Sequence, residues 1–212
     1  MTGSSLRQRF LLALATGALL CAGSLQAAPV EGRDFTKLAT PQTPQTQDRI
    51  EVIEFFSWGC PHCDRFHPLI TPWAAKLPAN VKFIRVPVSM GHQQWGQLVR
   101  TYYALEATGD LERLDSAVFD ALHRQGLRLF DEPSITAWVA SQGVNAGKFY
   151  TAFNSPEVSM RAQQAEQLSR DYQVQGIPKI TVAGKYEVHA NDFNQMLVNA
   201  TQVIQLVMTE EN

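Results

Sequence analysis

Strand-like segments occur in two separate parts of this chain, and a long stretch without them lies between. Residues 49–57 and 81–88 are rich in β-branched and aromatic side chains, a composition typical of buried strands. Comparable segments return only at 179–183 and 185–189, where Gly184 predicts a tight turn between them. From 93 to 173 the apolar residues instead recur at helical spacing. This order predicts an α/β fold, in which one mixed sheet is interrupted by a helical insertion.

The interruption divides the chain of 212 residues into four predicted segments. Residues 1–27 are expected to form a signal peptide, 28–90 and 173–212 the two parts of a sheet-containing domain, and 91–172 the helical insertion. A chain with 45% hydrophobic and 18% charged residues is long enough to bury a real core. We also expect an edge strand near residue 35. Two prolines, Pro68 and Pro72, are expected to kink or divide the helix that begins at Cys60.

The N-terminus has the order of a secretory signal peptide. Arg7 and Arg9 precede an apolar run at 10–20, and small residues follow it. The run is shorter than the ~20 residues that a membrane-spanning helix needs. The bulky leucine before Cys21 argues against a lipoprotein signal. We therefore expect cleavage after Ala27 and export of the remaining chain.

Cleavage at that position changes both the net charge and the cysteine count. It removes two basic and no acidic residues from totals of 18 and 20, which leaves a net charge of −4. This balance argues against a nucleic-acid-binding protein. Cleavage also removes Cys21, so that Cys60 and Cys63 alone remain. In an oxidising compartment one close pair is either a small structural disulfide or a redox site.

Cys60 and Cys63 follow a predicted buried strand and open a helix, and this context favours redox chemistry. The free N–H groups and partial positive charge at a helix N-terminus stabilise an anion, so we expect a lowered pKa for Cys60. Cys63 lies one turn further along and is placed to act as the resolving thiol. His62 can add positive charge, and Pro61 suits the first helical position. A stable thiolate favours the dithiol form, which makes the disulfide a strong oxidant.

Three short motifs occur in order along the chain, namely Glu54-Phe55-Phe56-Ser57, Cys60-Pro61-His62-Cys63 and Gly176-Ile177-Pro178. Together they resemble the periplasmic DsbA-type thiol–disulfide oxidoreductases. The resemblance implies a thioredoxin-like fold with an inserted all-helical domain and a periplasmic location. It also implies an enzyme whose redox group is its own disulfide between Cys60 and Cys63, with no metal and no other cofactor.

The resemblance assigns roles to individual residues of the site. The residues that match the attacking cysteine, the tuning dipeptide and the resolving cysteine of the family are, in order, Cys60, Pro61, His62 and Cys63. Pro178 matches a cis-proline that faces the disulfide, with Ile177 before it. A cis bond there leaves the neighbouring backbone free to pair with an extended substrate segment.

Three further residues match positions that support the family's active site. Glu54 matches a buried acid beneath the cysteines, and a family lysine position falls on Arg85. Arginine is a poorer proton carrier than lysine, which weakens the case for a proton relay through this pair. Gly59 stands where some relatives carry an aromatic residue. Trp58 is expected to cover the rim of the site instead, unless it belongs to the core.

The resemblance also implies partners. The substrates would be unfolded or folding exported proteins with free cysteines, which receive the disulfide. A quinone-linked membrane thiol oxidase of the DsbB type would then reoxidise the enzyme. Residues 29–48 are too few and too polar to suggest a dimerisation segment, so we expect a monomer that binds no nucleic acid.

Several alternative interpretations remain open from the residues alone. Cys60 and Cys63 could form a purely structural disulfide, or with His67 they could supply three zinc ligands. Glu54 could be a plain acid at a strand edge, and Pro178 an ordinary trans proline that begins a strand. The protein could be a reductase or isomerase on the same fold. It could also be an exported binding or chaperone module with an incidental cysteine pair.

Overall fold

The structure is a computed structural model that describes residues 28–46 and 48–210. The predicted signal peptide at 1–27 lies outside the described residues. Within the described part of the chain, no helix is both long enough and apolar enough to cross a membrane.

Five strands in the described residues form one mixed sheet in the order β1-β5-β4-β2-β3. Their bounds are β1 Phe35–Lys37, β2 Ile50–Phe56, β3 Val81–Pro87, β4 Lys179–Val182 and β5 Tyr186–Val188. Strand β2 pairs in parallel with β3 and antiparallel with β4, so it joins one strand that precedes the long helical stretch to one that follows it. The strand predictions are confirmed, including β1 at the edge of the sheet.

Seven helices complete the fold of the described residues. Their bounds are α1 Pro61–Ala74, α2 Gln93–Thr108, α3 Leu111–His123, α4 Glu132–Ser141, α5 Ala146–Phe153, α6 Pro156–Asp171 and α7 Phe193–Glu210. The chain leaves the sheet after β3, forms α2 to α6, and re-enters the sheet at β4. The predicted α/β architecture with a helical insertion is therefore confirmed. The segment boundaries at 28–90, 91–172 and 173–212 stay predictions.

Helix α1 continues through Pro68 and Pro72, so these prolines do not divide it, and the alternative that they kink it stays a prediction. An internal proline removes one backbone hydrogen bond and costs about 3 kcal/mol. Phe66 and Ile70, which lie on either side of Pro68, are both fully buried on the face that packs into the core. Packing of this face holds the helix together, because burial of two large apolar side chains is worth about 1.5–3 kcal/mol each.

The buried apolar side chains of the described residues form two clusters. One contains Ile53 and Phe55 of β2 together with residues of the helical insertion, and Cys60 and Cys63 belong to it. The other contains Val52 of β2 with the buried faces of α1 and α7. The N-terminus of α1 therefore lies where the sheet meets the helical insertion.

Candidate active site

Cys60 is the N-cap residue of α1, in an extended conformation with φ −88° and ψ 120°. Pro61 follows at the first helical position, where its missing N–H costs no hydrogen bond. The Cys60 side chain makes no capping hydrogen bond in the first turn of α1, but the nearby backbone N–H groups of Cys63 and His62 lower the pKa of Cys60. The local sequence thus places one sulfur atom at the anion-binding end of a helix, as predicted.

The two cysteines of this turn ionise very differently. Donation by the Cys63 thiol is the largest influence on Cys60, and with the N–H groups of Cys63 and His62 it lowers the pKa of Cys60 from 9.0 to about 6. The charge of His62 acts in the same direction, and burial opposes the shift. Burial, followed by the hydrogen bond and charge of Cys60, raises the pKa of Cys63 far above its ordinary value. Near neutral pH the pair therefore consists of a thiolate at Cys60 and a thiol at Cys63.

Both cysteines of this turn lie largely inside the protein. A cysteine that exchanges with substrate thiols is expected to be exposed, but Cys60 is only 5% exposed and Cys63 is 0% exposed. Its sulfur lies 3.7 Å from the carbonyl oxygen of Ile177, and the Ile177–Pro178 peptide bond is cis. The loop that carries Pro178 thus packs against the sulfur, as the resemblance implies, and it covers one side of it.

His62 is exposed beside the cysteine pair and makes one side-chain contact on its own helix. Its Nδ1 atom lies 3.0 Å from Nη2 of Arg65, and the arginine is the donor. The ring accepts this bond through Nδ1 while it is neutral, and the protonated ring gives up the contact because its Nδ1 then carries a proton. The charge of His62 is the last of the influences that lower the pKa of Cys60, after the thiol and the backbone N–H groups.

A buried charge network lies beneath the cysteines. Arg85 donates from Nε to Oε2 of Glu54 across 2.6 Å and from Nη1 to Oδ2 of Asp115 across 2.5 Å. Burial raises the pKa of Glu54, and the positive charge of Arg85 opposes that rise. Glu54 is 0% exposed and lies on a strand with neighbours on both sides, so the interpretation as a strand-edge acid is wrong.

Trp58 belongs to the core, and the prediction that it covers the rim is wrong. It is 1% exposed, and its indole N–H donates to Oδ1 of Asp115 across 2.8 Å. The aromatic residue beside Gly59 is Trp95 of α2, which lies so close that a Cβ on Gly59 would be 2.3 Å from its Nε1. The N–H of the inward-facing Trp58 is paired with a partly buried carboxylate, which sequence spacing does not reveal.

Helix α3 attaches the helical insertion to the cysteine turn through residues that sequence reasoning missed. Nε2 of His123 donates to the carbonyl oxygen of Trp58 across 2.7 Å, and Arg124 pairs with Asp64 of α1 at 3.1 Å. Asp115 extends from the same helix to Arg85. The sequence offers one indication of this role, which is that Asp115 is an acidic residue on an amphipathic helix. That indication does not show whether the side chain packs inward or faces solvent.

The described residues do not form the zinc site that Cys60, Cys63 and His67 could have supplied. His67 lies on α1 with its Nε2 atom 2.8 Å from Oγ of Ser116, and its Nδ1 atom is 3.3 Å from Oγ1 of Thr71. Across 28–46 and 48–210 no group of three or more histidine, cysteine, aspartate or glutamate side chains is placed to hold a metal ion. The ring of His67 is instead part of the contact between α1 and α3.

Known proteins share this arrangement. The family model described as "DSBA-like thioredoxin domain" matches residues 66–202. The thiol:disulfide interchange protein DsbA of Pseudomonas syringae pv. tomato is 37% identical over 183 residues, which cover 85% of each chain. The chain belongs to the DsbA-like thioredoxin family. The protein of the same name from Burkholderia cepacia is 38% identical over 178 residues, covering 84% of this chain and 83% of that one.

Solved structures of the family agree with this fold. Pseudomonas aeruginosa DsbA superposes with a TM-score of 0.81 at 32% identity, covering 85% of this chain and 95% of that one. The oxidoreductase DsbA from Xylella fastidiosa superposes with a TM-score of 0.81 at 29% identity, covering 86% and 100%. The fold is thus thioredoxin-like with an inserted helical domain, and the protein is a thiol–disulfide oxidoreductase. Cys60 and Cys63 lie just before the matched segment, so their individual roles depend on the geometry described above.

Proposed function

We propose that this protein donates a disulfide between Cys60 and Cys63 to exported proteins with paired free cysteines. Membership of the DsbA-like family supports thiol–disulfide exchange as the reaction. The observation that carries the direction of exchange is the asymmetry of the two thiols, with a pKa of about 6 at Cys60 and a strongly raised pKa at Cys63. A stable Cys60 thiolate favours the dithiol enzyme, and its disulfide is then readily given away.

The first step is attack on the oxidised enzyme. A substrate thiolate attacks the sulfur of Cys60, the bond to Cys63 breaks, and Cys63 leaves and takes up a proton. The product is a mixed disulfide between the substrate and Cys60. Because burial disfavours an anion at Cys63, that sulfur remains a thiol and can donate a hydrogen bond to Cys60.

The second step releases the oxidised substrate. A second substrate thiolate attacks the substrate sulfur of the mixed disulfide, and Cys60 leaves as a thiolate. Two electrons have then passed from the substrate dithiol to the enzyme, which holds one thiolate and one thiol. A leaving thiol with a low pKa departs faster, so the site at the helix N-terminus assists this step.

The remaining site residues support this chemistry in the proposal. Ile177 and Pro178 border the sulfur and hold the substrate segment beside it. Pro61 and His62 tune the thiolate at the start of α1. Glu54 and Arg85 supply the charge beneath Cys63, and Arg85 keeps its proton because the carboxylates of Glu54 and Asp115 raise its pKa against the effect of burial.

The proposal includes a cellular setting. We place the protein in the periplasm after removal of residues 1–27, where its substrates are exported proteins that are unfolded or still folding. A quinone-linked membrane thiol oxidase of the DsbB type would return the dithiol to the disulfide. We propose that the protein acts as a monomer, without metal or other cofactor, through its own cysteine pair.

Redox titration of the purified dithiol against glutathione tests the proposed direction. We expect a reduction potential less negative than about −180 mV, the potential of protein disulfide isomerase. A value near the roughly −270 mV of thioredoxin would reject the oxidase in favour of a reductase. Cys60→Ser should abolish oxidation of dithiol peptides, and retained activity would reject Cys60 as the attacked sulfur. A zinc-bound, inactive purified protein would instead favour the binding-module alternative.

A further inference from the structure

Trp95, in the first turn of α2, packs against the backbone next to the reactive cysteine. A Cβ atom on Gly59 would lie 2.3 Å from Nε1 of Trp95 and 2.6 Å from Cδ1. The φ angle of Gly59 is not positive, so the absence of a side chain provides space and not conformational freedom. The indole ring therefore fills the position that a side chain at residue 59 would take.

The indole of Trp95 is available for contact with a ligand. The residue is only partly buried, and its N–H has no hydrogen-bond partner in the part of the chain that the structure describes. By contrast, the indole N–H groups of Trp58 and Trp73 donate to Asp115 and Thr201. An amphipathic ring with a free donor is a common feature of protein interaction sites.

Two features border the Cys60 turn. The carbonyl oxygen of Ile177 lies 3.7 Å from the Cys60 sulfur, next to Pro178. Trp95 covers Gly59, the residue directly before Cys60, and it packs against the same apolar cluster as Ile177. A substrate cysteine bonded to Cys60 is therefore held one residue away from the position that the indole covers.

We propose that Trp95 is a substrate-binding residue that determines specificity by receiving an apolar or aromatic side chain beside the substrate cysteine. Its indole N–H donates to a carbonyl oxygen of the same substrate segment. The inference rests on the proposed function, because it requires a substrate cysteine at Cys60. Aromatic contacts of this kind change a rate by roughly three- to tenfold.

The test compares two dithiol peptides that differ only in the residue beside the first cysteine, phenylalanine in one and serine in the other. Each rate of oxidation by the disulfide form is divided by the rate of the same variant with dithiothreitol, so that changes in sulfur reactivity cancel. The unaltered protein should prefer the phenylalanine peptide. Trp95→Ala should reduce this preference by roughly three- to tenfold.

Two further variants sharpen the comparison. Gly59→Ala adds the Cβ that the ring of Trp95 excludes, so it should displace the ring and reduce the preference in the same direction. Tyr150→Ala is the matched control, since Tyr150 is an aromatic residue on α5 that is 50% exposed, and it should leave the preference unchanged. If Trp95→Ala does not fold, the two peptides are compared with Trp95→Phe instead, because this variant removes the N–H and part of the ring.

The outcomes separate this inference from the proposed function. A preference that persists in the Trp95 variants, or an equal loss on both peptides, would overturn the inference. An unaltered protein that oxidises both dithiothreitol and the peptides without preference would also overturn it, and the proposed function would stand. An unaltered protein that oxidises neither would defeat the proposed function.

Discussion

Arg85 donates from Nε to Oε2 of Glu54 across 2.6 Å, in a register that places the two residues directly opposite each other on β3 and β2. The parallel pairing points both side chains to the same face of the sheet. The guanidinium also reaches Asp115 and lies 3.8 Å from the centre of the Phe56 ring. One cation thus holds two carboxylates and an aromatic ring together beneath the cysteines.

Loss of this cation should destabilise the protein strongly. Arg85→Met leaves Glu54 and Asp115 without their partner in a buried site, which costs about 3–5 kcal/mol. Arg113→Met is the matched control, since Arg113 pairs with Asp110 at 2.7 Å but its side chain is 51% exposed. The control should cost at most about 1 kcal/mol. Urea unfolding measures both, and equal losses would contradict the importance of the buried network.

The indole N–H of Trp58 should contribute measurably to stability. Trp58→Phe removes the donor to Oδ1 of Asp115 and leaves a partly buried carboxylate oxygen without this partner, which costs about 1 kcal/mol. Trp138→Phe is the matched control, because it shortens a buried ring by the same amount and the N–H of Trp138 has no hydrogen-bond partner among the described residues. We expect Trp58→Phe to cost more than Trp138→Phe in thermal or urea unfolding. The reverse order would show that ring volume matters more than the hydrogen bond.

Replacement of His62 should weaken the Cys60 thiolate. His62→Ala removes the ring whose protonated form lowers the pKa of Cys60, so the pKa should rise above about 6 and the reduction potential should become more negative. Thiolate absorbance followed against pH measures the first effect, and glutathione equilibration the second. Lys76→Ala, which removes an exposed positive charge just beyond the opposite end of α1, should change neither value. An unaltered titration in His62→Ala would remove His62 from the tuning of the site.

The stability of the reduced protein should depend on pH through Cys60. The pKa of this thiol is about 6 in the folded state and near 9.0 without the site, so its contribution is complete only above the unfolded pKa and is lost as pH falls through about 6. Between about pH 6 and pH 8.5 the reduced form should therefore gain stability relative to the oxidised form, which has no thiol to ionise. Paired unfolding curves of the two forms measure this gap. A gap that stays constant over that range would contradict the lowered pKa.

Much of the fold could be predicted because its signals are local. The strand segments, the helix boundaries at glycine and proline, and the helix start at Pro61 depend on neighbours within a few residues. The continuity of α1 through Pro68 could not be predicted in this way. It depends on burial of Phe66 and Ile70. The spacing of these residues suggests that they are buried, but it does not show that their burial stabilises the helix by more than a proline destabilises it.

The element order, the position of Cys60 at a helix start and the spacing of two thiols one turn apart all follow from the order of the residues. The burial of Trp58, the cover of Gly59 by Trp95 and the sharing of Arg85 between Asp115 and Glu54 appear only in the folded chain. The difference lies in sequence separation. Helical and strand preferences act between close neighbours, whereas the partners of a buried charge or ring are brought together from distant parts of the chain by packing.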